Sequence, residues 1–285
     1  MLVWLWQEIQ ALSFSKLIMK ISVWIFANDL LLNKQNLTES LGNKQNLFKN
    51  ANTKDVFIKL KASGVDGIEL LLPADFSDTD FKTIKKLFDE NEIAVNSVHQ
   101  PLRWITKTDV KEIAKLFVFA KQFGAKVIVL HLQNAKGQIF NREYLNALHG
   151  LEKEYGIKIG FENTQKFAQV FNKKRYWDSK TFSEVVKKAG FAITLDTTHL
   201  ADAGGDMIEF YNQNKEQIIN IQLSDYKAKW PRPQLHLIPG RGTLPMIQFL
   251  TVLKNNKYDG LITMEIKTNL EGFCESAQFI RNYLN

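Results

Sequence analysis

Apolar runs alternate with amphipathic segments eight times between residues 19 and 285, and this alternation limits the possible folds more than any other feature. The runs are rich in Ile and Val, as buried parallel strands are, and the segments between them have helical apolar spacing. Eight such repeats predict an α/β fold closed into a single-domain (β/α)8 TIM barrel. We predict strands at 20–26, 67–72, 93–98, 126–131, 157–162, 191–196, 218–223 and 261–266, and helices at about 53–63, 78–90, 108–123, 141–155, 180–189, 206–217, 245–257 and 271–283.

Residues 1–18 differ from the rest of the chain. They have no basic start, and Gln7 and Glu8 interrupt the apolar face, so the segment is a poor signal peptide. Met19 stands directly before the first predicted strand. We therefore hypothesise that 1–18 is an N-terminal extension, that Met19 is the natural start, and that 19–285 forms the barrel.

The composition sets limits on location and partners. No run of about 20 apolar residues occurs, so we expect no membrane span and no membrane partner. The single cysteine, Cys274, excludes an internal disulfide and suits a cytoplasmic compartment. The net charge of +7 favours anionic ligands, but the lysines are spread along the chain, so we do not expect nucleic acid as a partner.

Metal-binding side chains recur at the carboxyl ends of the predicted strands, which meet at the active face of a barrel. Three carboxylates, Glu162, Asp196 and Glu265, would repel one another there without a cation. With a fourth group from the seventh strand they would suit Mn²⁺ or Mg²⁺, whereas imidazole ligands would favour Zn²⁺, Co²⁺ or Fe²⁺. The full set of candidates is His99, His131, Glu162, Asp196, His199, Gln222, Asp225, Gln234, His236 and Glu265.

Loops at the same face carry aromatic and basic residues. Trp104, Trp177 and Trp230 are candidates to stack on a sugar, although a packing role explains each equally well. Arg241, in the sequence PGRG, is a candidate to meet a phosphate. The basic loop 165–179 either closes over an anionic or sugar ligand or is a solvated surface loop.

An ordered set of motifs across residues 19–285 resembles the xylose isomerase-like TIM barrel superfamily, which includes sugar phosphate isomerases and epimerases. The motifs are GVDGIELLLP, VHQP, VIVLH, FEN, LDTTHLADAGGD, QLSD, HLIPGRG and MEIK. The resemblance implies one divalent metal ion (Mn, Mg, Zn or Co) on Glu162, Asp196, Gln222 and Glu265. It also implies that Glu162 and Glu265 form the acid/base pair. Substrate contacts are expected from His99, His131, His199, His236, Arg241 and Trp104.

The sequence departs from the family pattern at two positions. Gln222 replaces the usual histidine of the seventh strand, and its neutral oxygen is a weaker zinc donor than imidazole. Gln234 stands where the endonucleases of the superfamily have an aspartate. Together, the two glutamines argue against an intact three-metal nuclease site.

We therefore expect a metal-dependent isomerase or epimerase of a small keto-sugar, polyol or sugar phosphate. The metal would stabilise an ene-diolate while one of Glu162 and Glu265 removes a proton and the other returns one. A dehydratase could use the same geometry. Two further alternatives are an apurinic-site endonuclease-like metal hydrolase and a metal-less barrel that only binds a sugar-like ligand. The resemblance is compatible with a monomer or an oligomer.

Overall fold

Eight parallel strands form a closed barrel in the computed structural model, which describes residues 19–31, 52–101, 109–132, 141–165, 178–229 and 232–284. The first strand pairs with both the second and the last, which closes the ring and confirms the predicted TIM barrel. In ring order the strands are β1 (Lys20–Phe26), β10 (Leu261–Met264), β7 (Ile218–Leu223), β6 (Ala192–Asp196), β5 (Lys158–Glu162), β4 (Val127–His131), β3 (Ala94–His99) and β2 (Gly67–Leu71).

The helices fall close to their predicted positions, because each carries the apolar stripe that covers the barrel. Ser77 precedes the second long helix and forms a capping box with Asp80. The Ser77 side chain accepts a hydrogen bond from the backbone N–H of Asp80, and the Asp80 side chain accepts one from the backbone N–H of Ser77. The helices are α1 (Ala27–Leu30), α2 (Thr53–Ala62), α3 (Asp78–Glu90), α4 (Val110–Phe123), α5 (Arg142–Tyr155), α6 (Ser179–Ala189), α7 (Thr197–Asp202), α8 (Met207–Asn214), α9 (Met246–Asn255) and α10 (Leu270–Leu284).

A left-handed glycine follows several helices but not α9. Gly124 follows α4 with a φ of 82°, a left-handed conformation that glycine adopts at no steric cost. After α9 the left-handed residue is Lys257, with a φ of 53°. Gly260 is instead required by close approach, since a Cβ there would lie 2.7 Å from the carbonyl oxygen of Ile219.

Three elements were not predicted, and all lie at the carboxyl ends of strands. The four-residue helix α1 directly follows β1 and carries no candidate site residue. The short helix α7 begins directly after β6, because Asp196 caps it by accepting a hydrogen bond from the backbone N–H of His199. An antiparallel hairpin of β8 (Asp225–Lys227) and β9 (Gln234–Leu237) follows β7. Helix α7 and the hairpin bring His199 and His236 to the end of the barrel where the strand-end carboxylates lie.

The barrel interior below the strand ends is polar, unlike the bulky apolar filling that is common in this fold. We call Glu69, Ser97, Asn220, Gln222 and Thr263 the polar floor; all are fully buried. The Glu69 carboxylate on β2 accepts hydrogen bonds from β7 side chains, and β1 and β10 separate these two strands in the ring. The bonds therefore cross the interior, and they support the site from beneath.

At the opposite end of the barrel, Arg281 of α10 ties the first two strands together. Its guanidinium donates to the carbonyl oxygens of Met19 (3.1 Å) and Gly64 (3.0 Å) and forms an ion pair with Asp66. Asp66 also accepts a hydrogen bond from the backbone N–H of Ile21 at 2.6 Å. Within the described ranges, no helix is both long and apolar enough to cross a membrane.

Candidate metal centre

The strand-end side chains converge as predicted. His99, His131, Glu162 and Asp196 are the last residues of four consecutive barrel strands, so their side chains meet at one rim. Helix α7 supplies His199, and the hairpin supplies His236. Seven of the group are buried, and Glu265 retains 15% side-chain exposure. The group comprises His99, His131, Glu162, Asp196, His199, Gln222, His236 and Glu265.

Glu162 lies at the centre of three imidazoles. Its Oε2 is 3.1 Å from Nε2 of His99 and 3.3 Å from Nε2 of His131, and its Oε1 is 2.8 Å from Nδ1 of His199. The Nδ1 of His99 lies 2.7 Å from the carbonyl oxygen of Gln100, which fixes the ring orientation. A single carboxylate on β5 therefore organises side chains from two other strands and from α7.

Three buried oxygen atoms of the candidate ligands accept no hydrogen bond from any residue that the structure describes. They are Oδ2 of Asp196, Oε1 of Gln222 and Oε2 of Glu265. Buried acceptors are nearly always partnered, because an unpaired polar group in a low-dielectric interior is costly. Together with the carboxylate of Glu162 they are oxygen donors of the kind that hard divalent cations prefer, so these residue types fit the metal that the sequence predicts.

Histidines offer further donor atoms around the same point. Two groups, His99–His131–Glu162 and Asp196–His199–His236, each place their potential ligand atoms within 4.8 Å of one another. His236 has a left-handed backbone with a φ of 58°, unusual for a residue other than glycine. Its Nδ1 lies 3.1 Å from the carbonyl oxygen of Glu265, which joins the hairpin to the end of β10.

The two glutamates have opposite electrostatic environments. Burial alone would raise the pKa of Glu162, but His131, His199 and His99 outweigh it and hold this pKa well below its usual range. Burial raises the pKa of Glu265 well above its usual range, and Asp196 and Glu162 raise it further. The surroundings therefore favour the ionised form of Glu162 and the protonated form of Glu265.

The histidines also differ in charge. Burial lowers the pKa of His199, but Asp196 and Glu162 overcome this and raise it to about 10. Burial lowers the pKa of His131 to about 4. Burial and the positive charges of His199 and Lys267 together lower the pKa of His236 to about 3. His199 is thus the imidazolium of the group, while His131 and His236 are neutral.

Glu69 is a site residue that the strand-end reasoning missed. Its Oε1 accepts a hydrogen bond from Nε2 of Gln222 at 2.8 Å, and its Oε2 accepts from Ser97 and Asn220. The available signal was a single acidic residue inside the apolar run GIELLL, because carboxylates are rarely buried without partners.

Trp24 is the second residue that was missed. In the barrel register it is the partner of Glu69 on β2, and it is 3% exposed. Its indole N–H has no hydrogen-bond partner among the described residues. Its ring contacts Phe26 edge-on, with centroids 4.5 Å apart. The period-two alternation of ISVWIF puts Ser22, Trp24 and Phe26 on one side of the strand, which was the available signal.

Several predicted residues lie away from this group. Arg241 is 67% exposed and forms an ion pair with Glu275 at 3.4 Å, so the structure places it at the surface. Gln234 is exposed on β9. Asp225 anchors its own loop, because its carboxylate accepts backbone N–H bonds from Gly240, Gly242, Leu244 and Tyr226. Trp104, Trp177, Trp230 and most of the loop 165–179 lie outside the described residues, as does the segment 1–18.

Comparison with known proteins gives a family match over most of the chain. The model of a family described as xylose isomerase-like TIM barrel matches residues 57–283. An uncharacterised protein of Mycobacterium leprae (strain TN) is 25% identical over 255 residues, covering 78% of this chain and 89% of that protein.

Solved structures give the same fold. The apo structure of 3-keto-D-glucoside 4-epimerase from E. coli aligns with a TM-score of 0.64 at 13% identity, covering 93% of this chain and 100% of that one. A D-tagatose 3-epimerase-like protein aligns with a TM-score of 0.64 at 22% identity, covering 93% of this chain and 97% of that one. A xylose isomerase-like TIM barrel protein from Mycobacterium smegmatis in complex with magnesium aligns with a TM-score of 0.63 at 13% identity, covering 95% of this chain and 98% of that one. At these identities the likeness establishes the fold alone.

Proposed function

The chain belongs to the xylose isomerase-like TIM barrel family, and from that premise we propose that it is a metal-dependent isomerase or epimerase of a small keto-sugar, polyol or sugar phosphate. One observation carries the proposal: the unpartnered buried oxygens of Asp196, Gln222 and Glu265, together with Glu162, whose surroundings favour its ionised form. An oxygen-rich, largely buried site suits substrates that offer adjacent carbonyl and hydroxyl oxygens. The reaction class is suggested by two structural neighbours, a 3-keto-D-glucoside 4-epimerase and a D-tagatose 3-epimerase-like protein.

Glu162, Asp196, Gln222 and Glu265 would hold the metal. When bound, a divalent cation supplies Lewis acidity and offsets the negative charge that develops on substrate oxygens. The surroundings of Glu162 favour its ionised form, so we assign it the removal of a proton from a carbon next to the carbonyl. Those of Glu265 favour its protonated form, so we assign it the return of a proton to the same or the adjacent carbon.

The surrounding side chains would bind and orient the substrate. His199 carries a positive charge and can donate to a substrate oxygen, while the neutral His236 can donate or accept. The unpartnered indole N–H of Trp24 is a donor for a hydroxyl, and its ring offers an apolar surface to a sugar face. Arg241 would reach a phosphate only after leaving Glu275.

Solvent deuterium exchange tests the reaction class without requiring the product to be known. The Mn²⁺-loaded protein is incubated in D2O with a panel of ketoses and their phosphates, and NMR detects deuterium on the carbon next to the carbonyl. We expect incorporation with at least one compound, and its loss in Glu162→Gln and Glu265→Gln. The variant Arg241→Ala, altered at the surface, is the matched control for unphosphorylated substrates. Loss of water in place of exchange would indicate a dehydratase.

The grouping of His99, His131 and Glu162 favours one other candidate, the endonuclease-like metal hydrolase. Two glutamines weigh against it: Gln234, which stands where the endonucleases have an aspartate and is exposed, and the neutral Gln222, which stands where the family has a histidine. A nicking assay on duplex DNA with an abasic site, with added Zn²⁺, separates the two candidates. Cleavage that His99→Ala abolishes would favour the nuclease.

A further inference from the structure

The amide of Gln222 is held in one orientation. Its Nε2 donates to Oε1 of Glu69 at 2.8 Å, whereas its Oε1 is buried without a donor. An ionised carboxylate only accepts hydrogen bonds, so it can bind the NH2 end of an amide but not the carbonyl end. The contact with Glu69 therefore decides which end of Gln222 remains available.

Glu69 itself has little freedom to rotate. Its Oε2 accepts from Oγ of Ser97 at 2.7 Å and from Nδ2 of Asn220 at 2.8 Å. Oγ1 of Thr263 lies 3.4 Å from this oxygen and 3.1 Å from Oδ1 of Asn220, so its single proton is directed at these two acceptors. With donors from three other strands around it, the carboxylate is a rigid acceptor at the centre of the polar floor.

Gln222 is placed to use its free oxygen at the candidate metal centre. In the barrel register it is the partner of Asp196 on β6 and of Thr263 on β10. It therefore lies level with Asp196, and Glu265 follows directly after the end of β10, two residues beyond Thr263. We therefore group its unpartnered amide oxygen with the unpartnered carboxylate oxygens of Asp196 and Glu265 as candidate ligand atoms.

We propose that Glu69 is a positioning residue that locks Gln222 with its amide oxygen available to the divalent cation, although Glu69 supplies no ligand atom. The proposal rests on the proposed function, because it assigns the orientation of one ligand of that site. It explains how a glutamine serves where the family has a histidine: the floor presents the oxygen end of the amide. A neutral oxygen in that position also favours Mn²⁺ or Mg²⁺ over Zn²⁺, relative to an imidazole.

A double-mutant cycle on metal affinity tests this. Calorimetry measures the Kd for Mn²⁺ with the full chain as wild type, Glu69→Gln, Gln222→Ala and the double variant. A glutamine at position 69 has both a donor and an acceptor, so it no longer selects one end of Gln222. We expect Glu69→Gln to weaken binding tenfold or more in the wild-type background and less than twofold in the Gln222→Ala background. Ser97→Ala, which removes a different bond to Glu69, should change the Kd less than twofold.

A second measurement covers the case in which Glu69→Gln does not fold. NMR follows the side-chain NH2 signal of Gln222 in the wild-type protein, identified by its absence in Gln222→Ala. We expect this NH2 to be protected from solvent exchange both without metal and with the diamagnetic ion Mg²⁺, because it stays bonded to Glu69 while the oxygen binds the cation.

The outcomes separate this inference from the proposed function. If the wild type bound no Mn²⁺, both would be overturned. If the wild type bound Mn²⁺ but Glu69→Gln changed its Kd less than twofold, or weakened it equally with and without Gln222, only the role of Glu69 would be wrong. Rapid exchange of the Gln222 NH2 would also overturn that role alone.

Discussion

Nδ1 of His199 lies 2.8 Å from Oε1 of Glu162, and these two residues form the central ion pair of the candidate metal centre. Asp196, 3.4 Å from the same nitrogen, adds a second negative group. The two carboxylates outweigh the effect of burial and raise the pKa of His199 to about 10. A cation bound to these carboxylates would compete directly with the imidazolium.

Metal binding should therefore release a proton. His199 is protonated below pH 10, and a divalent cation on Glu162 and Asp196 would remove the attraction that holds this proton. We expect His199 to contribute about one proton per Mn²⁺ at pH 7, and an affinity that increases as the pH rises towards 10. Calorimetry in two buffers of different ionisation enthalpy measures the total release, to which protonated carboxyl ligands can also contribute. His199→Gln should release about one proton fewer than the wild type, and an equal release from the two proteins would contradict the assignment.

Glu265→Gln should change stability and metal binding in opposite directions. Burial, Asp196 and Glu162 disfavour the charged form of Glu265, so a neutral amide relieves an unfavourable interaction in the metal-free protein. We expect about 1 kcal/mol more free energy of unfolding at pH 8. The increase in Tm that Mn²⁺ gives the wild type should disappear. Urea unfolding and thermal unfolding with Mn²⁺ check the two parts, and a less stable metal-free variant would refute the first.

Asp225→Asn should destabilise the hairpin loop. The carboxylate accepts four backbone N–H groups at 2.7–3.0 Å and is fully buried, whereas an asparagine has one acceptor oxygen. We expect a loss of about 3 kcal/mol in the free energy of unfolding. Urea unfolding measures it against Lys227→Ala, an exposed residue of the same hairpin. A difference below about 1 kcal/mol between the two variants would show that the loop does not depend on Asp225.

Arg281→Met should lower stability without affecting the metal. Its bonds to Met19 and Gly64 and its ion pair with Asp66 lie at the amino-terminal end of the barrel, away from the strand ends that carry the candidate ligands. We expect a loss of about 2 kcal/mol and an unchanged Kd for Mn²⁺. Chemical unfolding and calorimetry on the same preparation test both statements. A weaker Mn²⁺ affinity would mean that the two ends of the barrel are coupled.

Asp29→Asn should stabilise the protein in a pH-dependent way. Burial raises the pKa of Asp29, on α1, from 3.8 to about 6. Above pH 6 the folded protein therefore carries a poorly solvated charge, whereas below pH 4 the group is neutral in both states. The benefit of asparagine should grow between pH 4 and pH 6 and stay constant above. Because Asp29 is partly exposed, we expect about 1 kcal/mol. Urea unfolding from pH 4 to pH 8 measures it, and a benefit independent of pH would contradict the assignment.

The strand-end residues could be predicted because each depends on a local pattern. Glu162 and Asp196 each end an apolar run, and parallel closure brings such ends together whatever the details of packing. His199 was found for the same reason, since it follows the end of the same apolar run. Helix α7 was not predicted, because its start depends on the cap that the Asp196 side chain provides.

The other outcomes depend on contacts that no local pattern contains. Glu69 bonds to residues about 150 positions away, across a barrel that must first close. Arg241 was expected to meet substrate phosphate, but the direction of a loop side chain depends on its neighbours, and Glu275 pairs with it at the surface. Trp24 could be recognised as an interior residue only after the structure showed which side of β1 faces the inside of the barrel.

The polar floor has a consequence for altering this protein by design. In a barrel filled with aliphatic side chains, a substitution below the site acts mainly through volume. Here the layer below consists of directional hydrogen bonds centred on Glu69, so an isosteric replacement there can reorient a group in the layer above without opening a cavity. Libraries intended to change metal preference should therefore vary the interior beneath the centre as well as the loops around its mouth.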